Sequence, residues 1–210
     1  MNTQGRRHSF MQILVLVLGL IVLTAGYAGA STVGEIWQNV PTSANDASIV
    51  PGSGGPFANF TVPLIDYNSA VTGYTPALFL NNPTFSNQVN GFNPNGDFNN
   101  SFIRITGQLF LNAGSNTADI IHDDGAVLTI TGLGTVFSQP GPSFPVSSPF
   151  TISAPASGLY PYVLQYGECF GAPAQLKFVL NGGTVPIAST LFLLGPGLVG
   201  LAVVRRRLKK

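Results

Sequence analysis

An all-β fold, an antiparallel β-sandwich, is the architecture this chain of 210 residues predicts for its middle section. Three observations lead there. Apolar residues alternate with polar ones at period two in several short segments, the pattern of strands with one buried face. No segment of the middle section sustains apolar residues at helical spacing over three turns. The chain also carries 25 Gly and 16 Pro with only 8% charged residues, a composition of short strands and frequent turns.

The segment 1–30, "MNTQGRRHSFMQILVLVLGLIVLTAGYAGA", comes first. Arg6 and Arg7 precede an apolar run from Met11 to about Thr24, and Ala28-Gly29-Ala30 closes it. Basic, apolar and small-residue regions in that order make a secretory signal peptide, with cleavage after Ala30. An uncleaved membrane anchor is the alternative. General secretion fits better than twin-arginine export, because Phe10 sits one residue later than that motif wants.

Residues 31–184 form the exported domain. Its first part, 31–100, is loop-rich: "PGSGGP", "NNPTF" and "NGFNPNGDFNN" are loops, and "ANFTVPLIDY" is a strand. The clearest strands lie in 101–181. In "FIRITGQLFL", Ile103, Ile105, Leu109 and Leu111 share one face while Arg104, Thr106 and Gln108 take the other. "TADII", "AVLTITG" and "PFTISA" follow as further strands, separated by "NAGSN", "HDDG" and "SQPGPSFPVSS". Tyr160, Tyr162, Leu164 and Tyr166 share a face in "YPYVLQY", as do Leu176, Phe178 and Leu180 in "AQLKFVL". Core packing is the default for these aromatics. Trp37, Phe85, Phe92 and Phe98 either cap the sandwich or stack on sugar rings.

The last segment, 185–210, contains 18 uncharged residues from Ile187 to Val204, just long enough to cross a bilayer. Arg205, Arg206, Arg207, Lys209 and Lys210 follow, a cluster that stays on the cytoplasmic side. The domain between the two ends carries two basic side chains, Arg104 and Lys177, against eight acidic ones, a formal charge of −6. Nucleic acid is a poor partner for such a surface. Cations or neutral sugars suit it better. Cys169 stands alone there, so an intramolecular disulfide is excluded, and a buried inert thiol is the expectation.

"HDDG", residues 122–125, holds the domain's sole histidine beside two carboxylates. Three readings stay open. As a glycosidase pair, Asp123 and Asp124 face a geometric objection: such carboxylates stand about 5–9.5 Å apart, and neighbours on a strand point to opposite faces. No nucleophile-elbow motif accompanies His122, and a zinc site lacks a second histidine. As a calcium site, the two carboxylates supply part of the six to eight oxygens the ion takes at about 2.3–2.6 Å. As a plain tight hairpin turn, Asp-Gly tolerates positive φ and needs no ligand.

Two resemblances add to this reading. The tail "VPIASTLFLLGPGLVGLAVVRRRLKK" resembles the PEP-CTERM sorting signal of Gram-negative bacteria. Val185, Pro186, Ser189 and Thr190 match its Val-Pro-Glu-Pro-Ser-Thr form, Ile187 and Ala188 depart from it, and Arg205, Arg206 and Arg207 supply its basic end. The resemblance implies signal peptidase and an exosortase as processing partners, and a membrane-anchored intermediate released to the cell surface or its polysaccharide matrix. From Phe102 to Leu180, the ordered motifs "HDDGAVLTITG" and "YPYVLQYGECFGAPAQLKF" resemble the protective-antigen-type β-sandwich, also found in yeast flocculins and fungal adhesins. That resemblance implies calcium held by Asp123 and Asp124, with Glu168 and Gly171 of the facing "GECFGAP" loop in the ligand site. An asparagine is more usual in that loop of the sugar-binding branch, and "GECFGAP" departs from it there.

These readings give a non-enzymatic surface or matrix protein that binds glycan through calcium-assisted loops. A structural surface protein without ligand is the competitor, and a secreted hydrolase comes third. Self-assembly through sheet edges stays open.

Overall fold

A computed structural model describes residues 32–185, except 53, 54 and 90. The expected signal peptide, the helix 187–204 and the basic end lie outside the described residues. Among the described residues no helix is long and apolar enough to cross a membrane.

Strand β1 (Val33–Trp37) leads into a single turn of helix, α1 (Pro41–Asn45). Short strands β2 (Ala58–Thr61) and β3 (Asp66–Asn68) follow. Two more single turns come next, α2 (Ser69–Thr72) and α3 (Pro76–Phe79), before the two-residue β4 (Phe85–Ser86). The side chains of Asn68 and Thr75 cap α2 and α3 by accepting from Ala70 N and Leu78 N, and Pro76 opens α3 where its missing N–H costs nothing. The long strands are β5 (Ser101–Leu111), β6 (Gly114–Asp123), β7 (Gly125–Ile130), β8 (Gly134–Gln139), β9 (Val146–Ala154), β10 (Gly158–Glu168) and β11 (Gln175–Leu180), with β12 (Gly183–Thr184) last.

All pairings are antiparallel, in two sheets. One has seven strands in the order β4-β2-β1-β5-β10-β7-β8; the other has five, β12-β11-β6-β9, with β3 also on β11. The predicted all-β antiparallel sandwich is what forms.

The alternation places the core as expected. Ile103, Ile105, Leu109 and Leu111 of β5 are buried, as are Tyr162, Leu164 and Tyr166 of β10 and Leu176 and Phe178 of β11. Tyr160 and Leu180, at strand ends, are half-buried. The polar face of β5 is also used: Arg104 donates to Glu35 at 2.6 Å and lies 5.3 Å over the Trp37 ring. Lys177 pairs with Asp66 at 2.9 Å, so both basic side chains of the described residues are matched to a carboxylate.

Segment 31–100 contributes more regular structure than its loop-rich sequence predicts. "ANFTVPLIDY" is two strands, β2 and β3, which join different sheets. Phe79 stacks on Tyr166 with ring centres 5.7 Å apart and packs on Phe98 at 4.6 Å. Trp37 and Phe98 are buried, while Phe85 and Phe92 pack partly buried against the core. These aromatics are therefore packing residues. The Gly114–Asn116 part of the predicted "NAGSN" turn is instead the start of β6.

Candidate functional site

"HDDG" is not a hairpin turn. Strand β6 before it pairs with β11 and β9 in the five-stranded sheet, while β7 after it pairs with β10 and β8 in the other. The chain therefore crosses between sheets at Asp123-Asp124. Neither Asp124 nor Gly125 has positive φ, the feature that would have marked a hairpin turn. Glycine is required at 125 for space: a Cβ there would lie 2.0 Å from the Pro140 carbonyl oxygen.

The Asp123–Asp124 peptide is cis, and both carboxylates line one cleft where an extended strand would have alternated them. The cleft holds about 320 Å³ and is walled by the β8–β9 loop (Pro142, Ser143, Phe144) and the β10–β11 loop (Phe170 to Pro173). The two aspartates do different things in it. One oxygen of Asp124 accepts from Ser143 N at 3.1 Å; the other accepts from Cys169 N at 2.8 Å, Phe170 N at 3.3 Å and the Cys169 thiol at 3.0 Å. A single carboxylate thus ties both walls together. Asp123 is 6% exposed, yet among the described residues nothing donates to its carboxylate. Burial, then the neighbouring Asp124 charge, raises its pKa to about 7.

His122 lies beneath the pair, fully buried. Its Nδ1 is 2.5 Å from the Asp124 carbonyl oxygen and carries the proton, because a carbonyl only accepts. Its Nε2 faces the Gln139 side chain at 2.9 Å. Ser143 Oγ approaches that Nδ1 at 3.4 Å but donates to the same Asp124 carbonyl. His122 does not line the cleft: its Nδ1 is turned to the Asp124 carbonyl and its Nε2 to Gln139 and Ser148.

Gly171 lines the cleft. Glu168 does not: it is fully buried behind it, with its oxygens 2.8 Å from the Tyr74 hydroxyl and 2.6 Å from that of Tyr166. Tyr74 also reaches Asn99 Oδ1 at 2.8 Å, and Tyr166 also reaches the Asp123 carbonyl. Two hydroxyl protons thus face four acceptors, and a proton on Glu168 relieves the shortage. Burial is the largest cause raising the Glu168 pKa to about 8, with Asp124 and Asp123 adding to it against the tyrosine hydrogen bonds. Residues the sequence did not single out are Tyr74, Asn99, Ser143 and the exposed Phe144 and Phe170. Cys169 is half-buried, and burial, then its bond to Asp124, pushes its thiol pKa up, away from the reactive thiolate.

A pH dependence follows. Asp123 and Glu168 bind protons more tightly folded than unfolded, so the stability they contribute is complete below about pH 4, near their unfolded pKa values. It is lost as pH rises through about 7 and about 8. In chelator, the melting temperature should fall between pH 5 and pH 8.5. Glu168→Gln should flatten the upper half of that fall, and an unchanged profile in this variant would show that Glu168 ionises normally.

The donor set fits a hard divalent cation. Two carboxylates meet on one cleft, one of them unpartnered, between two loops. Among the described residues no group of three or more His, Cys, Asp or Glu side chains could hold a metal, so the remaining ligands of any ion come from carbonyls, water or a bound hydroxyl compound.

Two packed antiparallel sheets with loops gathered over an inter-sheet Asp-Asp crossing define a loop-site β-sandwich. Solved structures with a similar fold include a PA14 sugar-binding domain from an RTX adhesin, at 20% identity and TM-score 0.54, covering 76% of this chain and 95% of that one. The PA14 domain of the MpAFP antifreeze protein is similar at 21% identity and TM-score 0.53, covering 75% and 86%. No protein-family model and no curated protein matches the chain.

Proposed function

We propose that this protein is an exported, non-enzymatic cell-surface or matrix protein that binds glycan through a calcium-assisted site at Asp123 and Asp124. The observation that carries this reading is the Asp123 carboxylate, which opens into the cleft with no donor of its own among the described residues. A partly desolvated carboxylate beside a second carboxylate is costly to keep charged unless an ion or a proton neutralises it. Asp124 and the β10–β11 loop would complete the site, with Glu168 and its two tyrosines bracing that loop from behind. The likeness of fold to a sugar-binding PA14 domain supports sugar hydroxyls as the ligands of such an ion.

Calcium titration of the full-length chain in mild detergent tests the reading. At a hundredfold excess over its Kd, a single-site ligand adds about 2.7 kcal/mol, near 8 °C in melting temperature for a domain of this size. Asp123→Asn should abolish the shift. No shift at millimolar calcium would remove the cation from the mechanism.

The tail supports a sorting route in which an exosortase removes the segment after Pro186. Mass measurement of protein recovered from the medium should show a chain without Arg205–Lys210. Recovery of the intact tail there would count against this route.

A further inference from the structure

We infer that Phe144 and Phe170 form an aromatic rim that selects neutral pyranoses with an apolar C–H face, and rejects their acidic counterparts. The inference rests on the calcium-assisted reading above and names the ligand class of that same cleft. Phe144 is 91% exposed and Phe170 76% exposed, on the two opposing loops that wall the cleft. Full burial of such a side chain is worth about 1.5–3 kcal/mol, so both rings leave an unrealised gain facing solvent. Their positions are held. Asp124 accepts from Phe170 N and from the N–H of Ser143, the neighbour of Phe144. Pro142 and Pro145 flank one ring in sequence, and Pro173 closes the other loop.

Carboxylates and rings therefore share one cleft and one anchor. A pyranose presents hydroxyls at its edge and, in sugars with axial C–H bonds on one side, an apolar face. Edge hydroxyls belong at the cation beside Asp123; the C–H face belongs on the rings, which carry a negative π-face toward polarised C–H groups. Among the cleft-lining residues there is no Lys or Arg. The two aspartates offset a divalent cation, and the domain carries eight acidic against two basic side chains. A sugar carboxylate thus finds no surplus positive charge and loses hydration against two phenyl rings. The same charge balance disfavours an anionic lipid surface as the partner of the two rings.

The discriminating probe is methyl β-D-galactopyranoside against methyl β-D-galactopyranosiduronate, one ring differing only at C6. Full-length chain in detergent and saturating calcium is titrated with each sugar, followed by NMR. The neutral sugar should bind more tightly. Phe144→Ser and Phe170→Ser should each weaken it by about two- to tenfold, the range of a single aromatic contact, and together abolish measurable binding. Both variants should keep the full calcium-induced melting shift, since exposed rings contribute little to the fold. A calcium shift without any sugar binding, or with binding unchanged in the double variant, overturns this inference while leaving the cation site intact. Equal or tighter binding of the acidic sugar overturns it as well. So does calcium-dependent sedimentation with phosphatidylglycerol vesicles that the double variant loses. Absence of the calcium shift itself is the separate failure of the underlying cation reading.

Discussion

Replacing Asp124 with alanine is expected to lower the melting temperature by about 10 °C, while Asp123→Asn, one residue away, raises it in chelator at pH 8. The first change removes the acceptor for three backbone N–H groups and a thiol on two loops. Unsatisfied buried donors and lost charge-assisted bonds together cost about 3 kcal/mol. A domain of 150–250 residues converts each kcal/mol to about 2–4 °C. The second change removes a carboxylate whose pKa burial and Asp124 raise to about 7, so at pH 8 it deletes a charge the fold must carry. At about pH 3, below both its folded and unfolded pKa values, the carboxyl is protonated in either state, and Asp123→Asn should melt close to the parent. Paired thermal melts at both pH values decide the matter. If both substitutions destabilise equally at pH 8, the division of labour between the two aspartates is wrong.

Gly125→Ala is the other large effect. Its Cβ would meet the Pro140 carbonyl oxygen at 2.0 Å and the Pro140 carbonyl carbon at 2.6 Å. That oxygen is not free to retreat, because it accepts from Ala47 N at 2.9 Å. Overpacking against fixed backbone puts this substitution in the severe range, above about 3 kcal/mol. Gly141→Ala is the matched control, since nothing lies within 4 Å of its Cβ. Chemical denaturation of the two variants should show a large loss for the first and almost none for the second. Parity between them would mean the sheets do not approach so closely at the crossing.

The strands of 101–181 other than β8 were legible because their apolar residues recur at period two along a buried face. Strand β1 was hidden by a glycine at an inward position. Gly34 is buried because the Phe60 ring occupies the space of its side chain, 2.2 Å from where a Cβ would sit. The inward pattern of "VGEIW" therefore reads as Gly and Ile, too weak to mark a strand. Strand β8 was missed for a related reason: Phe137 is the one residue of its six that is buried. "ANFTVPLIDY" looked continuous because nothing in a run of apolar residues records that its two halves join different sheets.

At the site, the Asp pair was found because two adjacent carboxylates are conspicuous in a domain with few charges. Their separate tasks were not visible. Which carboxylate ties loops and which stays unpartnered depends on donors from residues 143 and 169–170, brought close by folding. Glu168 was assigned to the ligand site by its position in "GECFG", but strand alternation turns it inward toward Tyr74 and Tyr166. Phe144 and Phe170 passed unremarked because exposure is a property of the folded surface, not of a single phenylalanine between turn residues.

Periodicity, composition and charge were thus enough for the all-β sandwich, its acidic character and the location of its polar cluster. These are local or additive quantities, and each residue carries its share wherever the chain goes. The inter-sheet crossing at "HDDG", the retirement of His122 to a buried brace and the aromatic rim required the tertiary structure. Each of them is set by contacts between residues far apart in sequence, and such contacts exist only once the two sheets have closed on each other.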